Sequence, residues 1–136
     1  MAAWPIPSAG DIVWCLFPEL PKRGPGPKPR PALVCDVEER EDGVVVTVAY
    51  GTSQGLNKLH AGEFAITRQG QRAAFQTAGL SYDTKFNVRE RVELPWTEQF
   101  FSVAPGAPCG QQPKMGTLHA SMYRAASAAH EAVKDD

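Results

Sequence analysis

Residues 31–50, PALVCDVEEREDGVVVTVAY, decide the fold of this chain. The segment 31–38 predicts one β-strand, and 43–50 predicts the next, since their β-branched side chains suit a pleated sheet. The charged turn EREDG between them predicts that the two strands lie antiparallel. This hairpin is the expected centre of the sheet.

The flanking segments extend the predicted sheet. Residues 10–17, GDIVWCLF, are apolar on both alternating faces, which is typical of a central strand buried on two sides. A further strand is expected near Glu63–Thr67. Residues 84–94, TKFNVRERVEL, predict either one strand with a solvated or bulged middle or two short pieces. Together these segments predict an antiparallel meander with a core over about residues 10–101.

The C-terminal segment, Thr117 to Lys134, predicts an amphipathic helix. Apolar side chains recur there at spacings of three, four and seven: Leu118, Met122, Ala125, Ala126, Ala129 and Val133. Thr117 is the expected N-cap of this helix. Residues 104–116, APGAPCGQQPKMG, are expected to be irregular. The predicted fold is mainly β with α, a small and partly open antiparallel β-barrel plus a C-terminal helix, in one domain covering residues 1–136.

Length and composition limit the class of protein. A chain of 136 residues with 43% apolar residues predicts one domain with a packed core. The N-terminus lacks the pattern of a secretory signal, and the apolar stretches are far shorter than the roughly 20 residues that span a bilayer. The chain has only three cysteines, and a small, odd number of cysteines is not typical of a disulfide framework. These features favour reduced thiols, a cytoplasmic location and no membrane partner.

The basic charges are concentrated in a proline-rich segment, residues 18–31, which we call the basic loop. It holds six prolines and two glycines, so it is expected to join two strands without entering the sheet. Its four bases and one acid are Lys22, Arg23, Lys28, Arg30 and Glu19. Such a loop is suited to attracting a polyanion, although ordinary solvated loops have the same composition.

Several kinds of catalysis have no signature in the sequence. The three histidines lie far apart and outside any H-x-x-x-H or C-x-x-C unit, so no metal site is predicted. No nucleophile elbow, P-loop or dinucleotide fingerprint occurs, and no cofactor is expected. Ser53 stands beside Thr52 and near His60, but sequence neighbours do not establish a catalytic triad, and a hydroxyl pair in a turn is the favoured explanation.

Two strand ends remain as a candidate site. The second predicted strand begins near Arg30, and the third ends at residues 50–54, YGTSQ. In a meander, these two ends lie at the same edge of the sheet. An arginine and the pair Thr52 and Ser53 are therefore expected to meet, and such a pocket suits a phosphodiester, because a guanidinium can bind two phosphate oxygens.

The order of these motifs resembles a known family. Gly10-Asp11-Ile12-Val13-Trp14, a proline-bearing loop, Arg30-Pro31-Ala32-Leu33-Val34 and Tyr50-Gly51-Thr52-Ser53-Gln54 are similar to the successive motifs of PemK/MazF-type growth-inhibitor toxins. The resemblance covers roughly residues 10–101. It implies an SH3-like or CcdB-like barrel, a homodimer, and a cognate antitoxin protein as partner.

The resemblance also implies an activity, metal-independent cleavage of single-stranded RNA. Arg30 matches the family arginine that stabilises the charged phosphorus centre, and Thr52 matches the threonine that holds the scissile phosphate. Further RNA contacts are expected at Lys28, Ser53, Gln54, Lys58, His60 and Lys85. For the three lysines and His60, taken one at a time, a solvated surface position is the favoured explanation.

Two departures from the family pattern keep alternatives open. Pro27-Lys28-Pro29 stands where many members carry an acid and a small or polar residue, and the acidic-glutamine segment after the third strand is not recognisable. The same scaffold could instead serve as a non-catalytic binding module, either a CcdB-like gyrase poison or an inactive relative. A structural or adaptor barrel without toxic activity is the third alternative.

Overall fold

The computed structural model describes residues 4–134, in which six strands form one open antiparallel sheet. The strands are β1 (Asp11–Cys15), β2 (Arg30–Arg40), β3 (Gly43–Thr52), β4 (Glu63–Ile66), β5 (Thr84–Pro95) and β6 (Lys114–Thr117), and the helices are α1 (Arg72–Thr77) and α2 (Tyr123–Val133). Across the sheet the order is β4-β5-β3-β2-β1-β6. The predicted fold class, a mainly β and partly open barrel-like sheet with a C-terminal helix, is confirmed.

The central hairpin forms as predicted. Strands β2 and β3 pair from Arg40 opposite Gly43 to Ala32 opposite Tyr50, with one register shift after Val34. Both strands run further than the sequence pattern indicates, β2 back to Arg30 and β3 on to Thr52. The two strands therefore end together at the edge of the sheet where the candidate site was expected.

Strand β5 is continuous and has the predicted bulged middle. Arg91 lies opposite Ala49 of β3, whereas the next β3 residue, Tyr50, lies opposite Asn87. Residues 88–90 therefore form the bulge in the register between β5 and β3. Two separate strands, the other option, do not form.

Two elements differ from the sequence prediction. Strand β6 lies at the end of the stretch 104–116 that was expected to be irregular, because its backbone pairs with β1 although its side chains show no strand pattern. Helix α1 was not predicted, since six residues are too few to show a helical period. Gly116 of β6 allows α1 to approach, since a Cβ atom there would lie 2.1 Å from the Thr77 carbonyl oxygen.

The C-terminal helix is confirmed, but its start is not where predicted. Thr117 belongs to β6, and α2 follows a short 3₁₀ turn at Ala120–Met122. The expected Thr117 cap is therefore wrong. His119 caps the turn instead, because its Nδ1 accepts a hydrogen bond from the Ser121 amide at 3.0 Å. The predicted apolar stripe packs inward, with its ends at Leu118 and Val133 both buried.

The core has one cluster of apolar side chains on each face of the sheet. Alternate residues of β1 show the division, because Ile12 belongs to the cluster beneath α1 and α2 and Val13 to the other. Phe101 and the partly buried Trp96 close the second face. The prediction of a first strand buried on both sides is thus confirmed. Within residues 4–134, no helix is long and apolar enough to cross a membrane.

Candidate functional site

The starts and ends of neighbouring strands create a groove at one edge of the sheet. Ala32 of β2 lies opposite Tyr50 of β3, and Arg30 and Thr52 each lie two residues further out on these strands. The strands are very close there, since a Cβ atom on Gly51 would lie 2.2 Å from the Pro31 carbonyl oxygen. Glycine at position 51 is therefore a requirement of this close approach.

A cavity of about 380 Å³ opens at these strand ends, and we call it the strand-end groove. Its lining residues are Trp14, Pro29, Arg30, Pro31, Gly51, Thr52, Ser53, Gly79, Ser81, Tyr82, Thr84, Ala104, Pro105, Pro108 and Met115. Among these lining residues, all within residues 4–134, Arg30 carries the one charge and none is an acid. The predicted meeting of Arg30 with Thr52 and Ser53 is observed, and their chemical roles remain predictions.

The side chain of Arg30 is held by an aromatic ring. Its guanidinium carbon lies 5.8 Å from the centroid of the Tyr50 ring, within the range of a cation–π contact. Tyr50 in turn packs on Phe17 at a centroid distance of 5.1 Å. Within residues 4–134 the Arg30 guanidinium forms no ion pair. Its charge is therefore oriented but not neutralised.

Arg30 also borders a second depression of about 300 Å³ on the side of Tyr50. Lys28 of the basic loop lines it together with two acids, Glu19 and Glu90. Two bases and two acids give this depression no net charge. The two cavities therefore differ in the formal charge of their lining residues, which is zero for this depression and one positive charge for the strand-end groove.

The hydroxyl of Thr52 is fixed by the turn that follows β3. Its Oγ1 accepts a hydrogen bond from the Gln54 amide at 3.1 Å, so its own proton remains available to a ligand. Ser53 is exposed and lines the groove. Gln54 is exposed but does not line it, so the structure gives Gln54 the role of holding Thr52 through its backbone.

Lys85 does not occupy the surface position that an RNA contact requires. It is 7% exposed, and its Nζ lies 3.0 Å from Glu63 Oε1 and 3.3 Å from the Lys58 carbonyl oxygen. Burial disfavours the Glu63 carboxylate, but the His60 amide at 2.7 Å and the Lys85 ammonium outweigh it and hold the pKa of Glu63 below its ordinary value. Lys85 therefore holds the segment after Thr52 in place through its hydrogen bond to the Lys58 carbonyl oxygen.

The remaining predicted RNA contacts lie apart from the groove. Lys58 and His60 are exposed on the segment between β3 and β4. His60 lines a shallow depression beside α2, and Lys28 lines the depression next to Tyr50. Of the eight predicted site residues, the structure brings Arg30, Thr52 and Ser53 together.

Sequence reasoning missed the turn between α1 and β5, which also lines the groove. Ser81 and Tyr82 stand there, and Tyr82 is 74% exposed. A short polar turn before a strand is an ordinary loop composition. Only the packing of α1 against β6 brings this turn to the groove that Arg30 lines, and no local signal in the sequence indicates this packing.

The Gly10-Asp11 motif proves to be structural. The Asp11 carboxylate is buried, accepts a hydrogen bond from the Ser8 amide at 2.9 Å and lies 3.7 Å from the Lys114 ammonium. Gly10 donates its amide to the Val34 carbonyl at 2.8 Å. The motif thus joins β1 to β2 and β6 and does not face the groove.

Thiol chemistry has little support in the structure. Burial raises the pKa of the Cys35 thiol to about 11, although Arg91 nearby favours the thiolate. Burial raises the pKa of Cys15 even further. Both thiols are therefore protonated and poor nucleophiles at neutral pH. Among residues 4–134, no three His, Cys, Asp or Glu side chains converge as a metal-binding set.

The strand-end groove can bind and stabilise a negatively charged group. It offers a half-buried guanidinium with free hydrogen-bond donors, beside hydroxyls on two consecutive residues. This combination suits a phosphate oxygen pair. Comparison of the chain with known protein families gave no matching family, and comparison with curated proteins gave no similar sequence.

Proposed function

We propose that this protein is the toxin of a toxin–antitoxin system and a metal-independent endoribonuclease acting on single-stranded RNA. The observation that supports it best is the unneutralised Arg30 guanidinium, which shares an acid-free groove with the hydroxyls of Thr52 and Ser53. A phosphodiester carries one negative charge spread over two oxygens. The groove presents a matching positive charge and hydrogen-bond donors.

In the proposed reaction the RNA supplies its own nucleophile. The 2′-hydroxyl oxygen attacks the neighbouring phosphorus and gives its proton to water. The bond from phosphorus to the 5′ oxygen breaks, and this oxygen takes a proton from water, so the products are a 2′,3′-cyclic phosphate and a 5′-hydroxyl. Negative charge grows on the phosphoryl oxygens in the transition state. Arg30 stabilises that charge, and Thr52 donates a hydrogen bond to one of these oxygens. The contribution of the chain is therefore positive charge and fixed geometry.

One observation favours a second candidate function. In the part of the chain that the structure describes, no His, Asp or Glu lines the strand-end groove, so these residues supply no pair of side chains for general acid–base catalysis. A non-catalytic binding module, such as a gyrase poison or an inactive adaptor, needs no such pair. A supercoiling assay that shows trapped gyrase while RNA stays whole would favour this reading.

The proposal includes two protein partners. A cytoplasmic toxin of this kind is expected to form a homodimer and to be neutralised by an antitoxin. The basic loop borders both depressions around Arg30, so an acidic and flexible antitoxin segment would be attracted to it. Co-expression of a neighbouring small acidic protein should relieve the growth arrest that the toxin causes.

The test is incubation of the purified protein with a long single-stranded RNA in the presence of EDTA. We expect discrete fragments that carry a 5′-hydroxyl and a cyclic phosphate. The matched control is the same RNA with 2′-O-methyl groups, which lacks the nucleophile and should stay whole. Intact RNA in the first reaction, or cutting of the methylated RNA, would contradict the proposal.

A further inference from the structure

Tyr82 is the feature of the strand-end groove that phosphate binding alone does not explain. Its side chain is 74% exposed, yet it lines the same cavity as Arg30 and Thr52. We propose that the Tyr82 ring is a stacking platform for a nucleobase of the single-stranded nucleic acid whose phosphate binds at Arg30. This inference rests on the proposed function and assigns a binding position within it.

The exposure of Tyr82 does not come from a loose loop. The Thr84 hydroxyl donates a hydrogen bond to the Tyr82 carbonyl at 2.8 Å, and the Arg68 amide donates one to Asp83 Oδ1 at 2.7 Å. Leu80 before the turn and Thr84 after it are both buried. The backbone is thus fixed on either side of the ring. Because the backbone is ordered before binding, stacking a base costs only the rotamer freedom of the tyrosine side chain, which has few rotatable bonds.

The composition of the groove points to a nucleotide as the occupant. A volume of about 380 Å³ lies at the small end of ligand sites, which run from about 300 to 1,000 Å³. The groove combines one arginine, several hydroxyls and an exposed aromatic ring, and it holds no acid. A phosphate next to a flat heterocycle satisfies the arginine and the ring together. Any base can stack on such a ring, so Tyr82 contributes affinity without sequence preference.

The experiment measures binding separately from cleavage. Wild-type protein and its variants are titrated against a short 2′-O-methyl RNA in EDTA, with the dissociation constant measured by fluorescence anisotropy. Tyr82→Ala should weaken binding roughly 5- to 100-fold, and Tyr82→Phe should bind like wild type, because the ring is retained. Tyr123→Ala is the matched control, since Tyr123 is 58% exposed on α2 outside the groove.

A second titration uses the same oligonucleotide with abasic sites. The wild-type protein should lose affinity for it, and the difference between wild type and Tyr82→Ala should disappear. Equal binding of normal oligonucleotide by Tyr82→Ala and wild type would overturn the stacking role while leaving the proposed function intact. Absence of any binding by the wild-type protein would overturn both.

Discussion

The loss of stability on breaking the buried ion pair of Lys85 and Glu63 can be worked out from the structure. Lys85 and Glu63 join β5 to β4 with 3.0 Å between Nζ and Oε1, and their side chains are 9% and 8% exposed. Solvent therefore screens the pair weakly, and Lys85→Met would leave a carboxylate buried without its cation. Breaking a buried pair in this way costs about 3–5 kcal/mol.

The lower end of that range applies here. The Glu63 carboxylate keeps its hydrogen bond from the His60 amide at 2.7 Å after the lysine is lost. We therefore expect Lys85→Met to reduce the free energy of unfolding by about 3 kcal/mol. This is a large part of the roughly 5–15 kcal/mol that stabilises a typical domain.

Urea unfolding followed by tryptophan fluorescence measures this effect. The midpoint should fall while the slope of free energy against urea stays constant. Lys58→Met is the matched control, because that lysine side chain is exposed on the segment between β3 and β4 that covers Lys85, and its effect should stay within about 0.5 kcal/mol. The double variant Lys85→Met/Glu63→Met should recover much of the loss, since no charge is then left buried. An unchanged midpoint for Lys85→Met would refute this reasoning.

Three further predictions follow from the same geometry. Gly51→Ala places a Cβ atom 2.2 Å from the Pro31 carbonyl oxygen and should cost about 1–3 kcal/mol in thermal unfolding, whereas Gly24→Ala, with open space around it, should be neutral. The pKa of Glu63 is lower in the folded protein than its value of about 4.3 in the unfolded chain, so the ionised carboxylate stabilises the fold above that pH. This stabilisation should be lost as the pH falls through the lower pKa of the folded state. Glu63→Gln should remove this pH dependence from acid-unfolding curves. Thr52→Val should slow RNA cleavage about 10- to 100-fold, since one hydrogen bond to the phosphoryl group is lost. It should reduce the free energy of unfolding by no more than about 1 kcal/mol, because the exposed Gln54 amide loses its bond to the Thr52 hydroxyl.

The central strands could be predicted because their side chains alternate between two buried faces. Ile12 and Val13 point to opposite clusters, and the residues of β3 divide in the same way. The joint position of Arg30 and Thr52 followed from the antiparallel topology alone. Such features depend on local pattern and strand direction, and both are present in the sequence.

Other features depend on tertiary contacts that no local pattern contains. Lys85 has the sequence context of a solvated strand position, but the segment from Gly55 to His60 folds over it, and Glu63 of the neighbouring strand β4 is its ion-pair partner. Strand β6 forms because β1 offers it an unpaired edge. Tyr82 reaches the groove because α1 packs beside β6. Sequence periodicity could predict none of these three.

RNA cleavage by the Arg30→Ala variant tests most directly the proposal that Arg30 stabilises the charged phosphoryl group. A defined single-stranded RNA is incubated in EDTA with wild type, Arg30→Ala and Arg23→Ala, the last removing an exposed arginine of the basic loop that does not line the groove. Arg30→Ala should lose activity at least about 10²- to 10³-fold and unfold like wild type, and Arg23→Ala should keep most of its activity. Wild-type cleavage rates in Arg30→Ala would contradict the account.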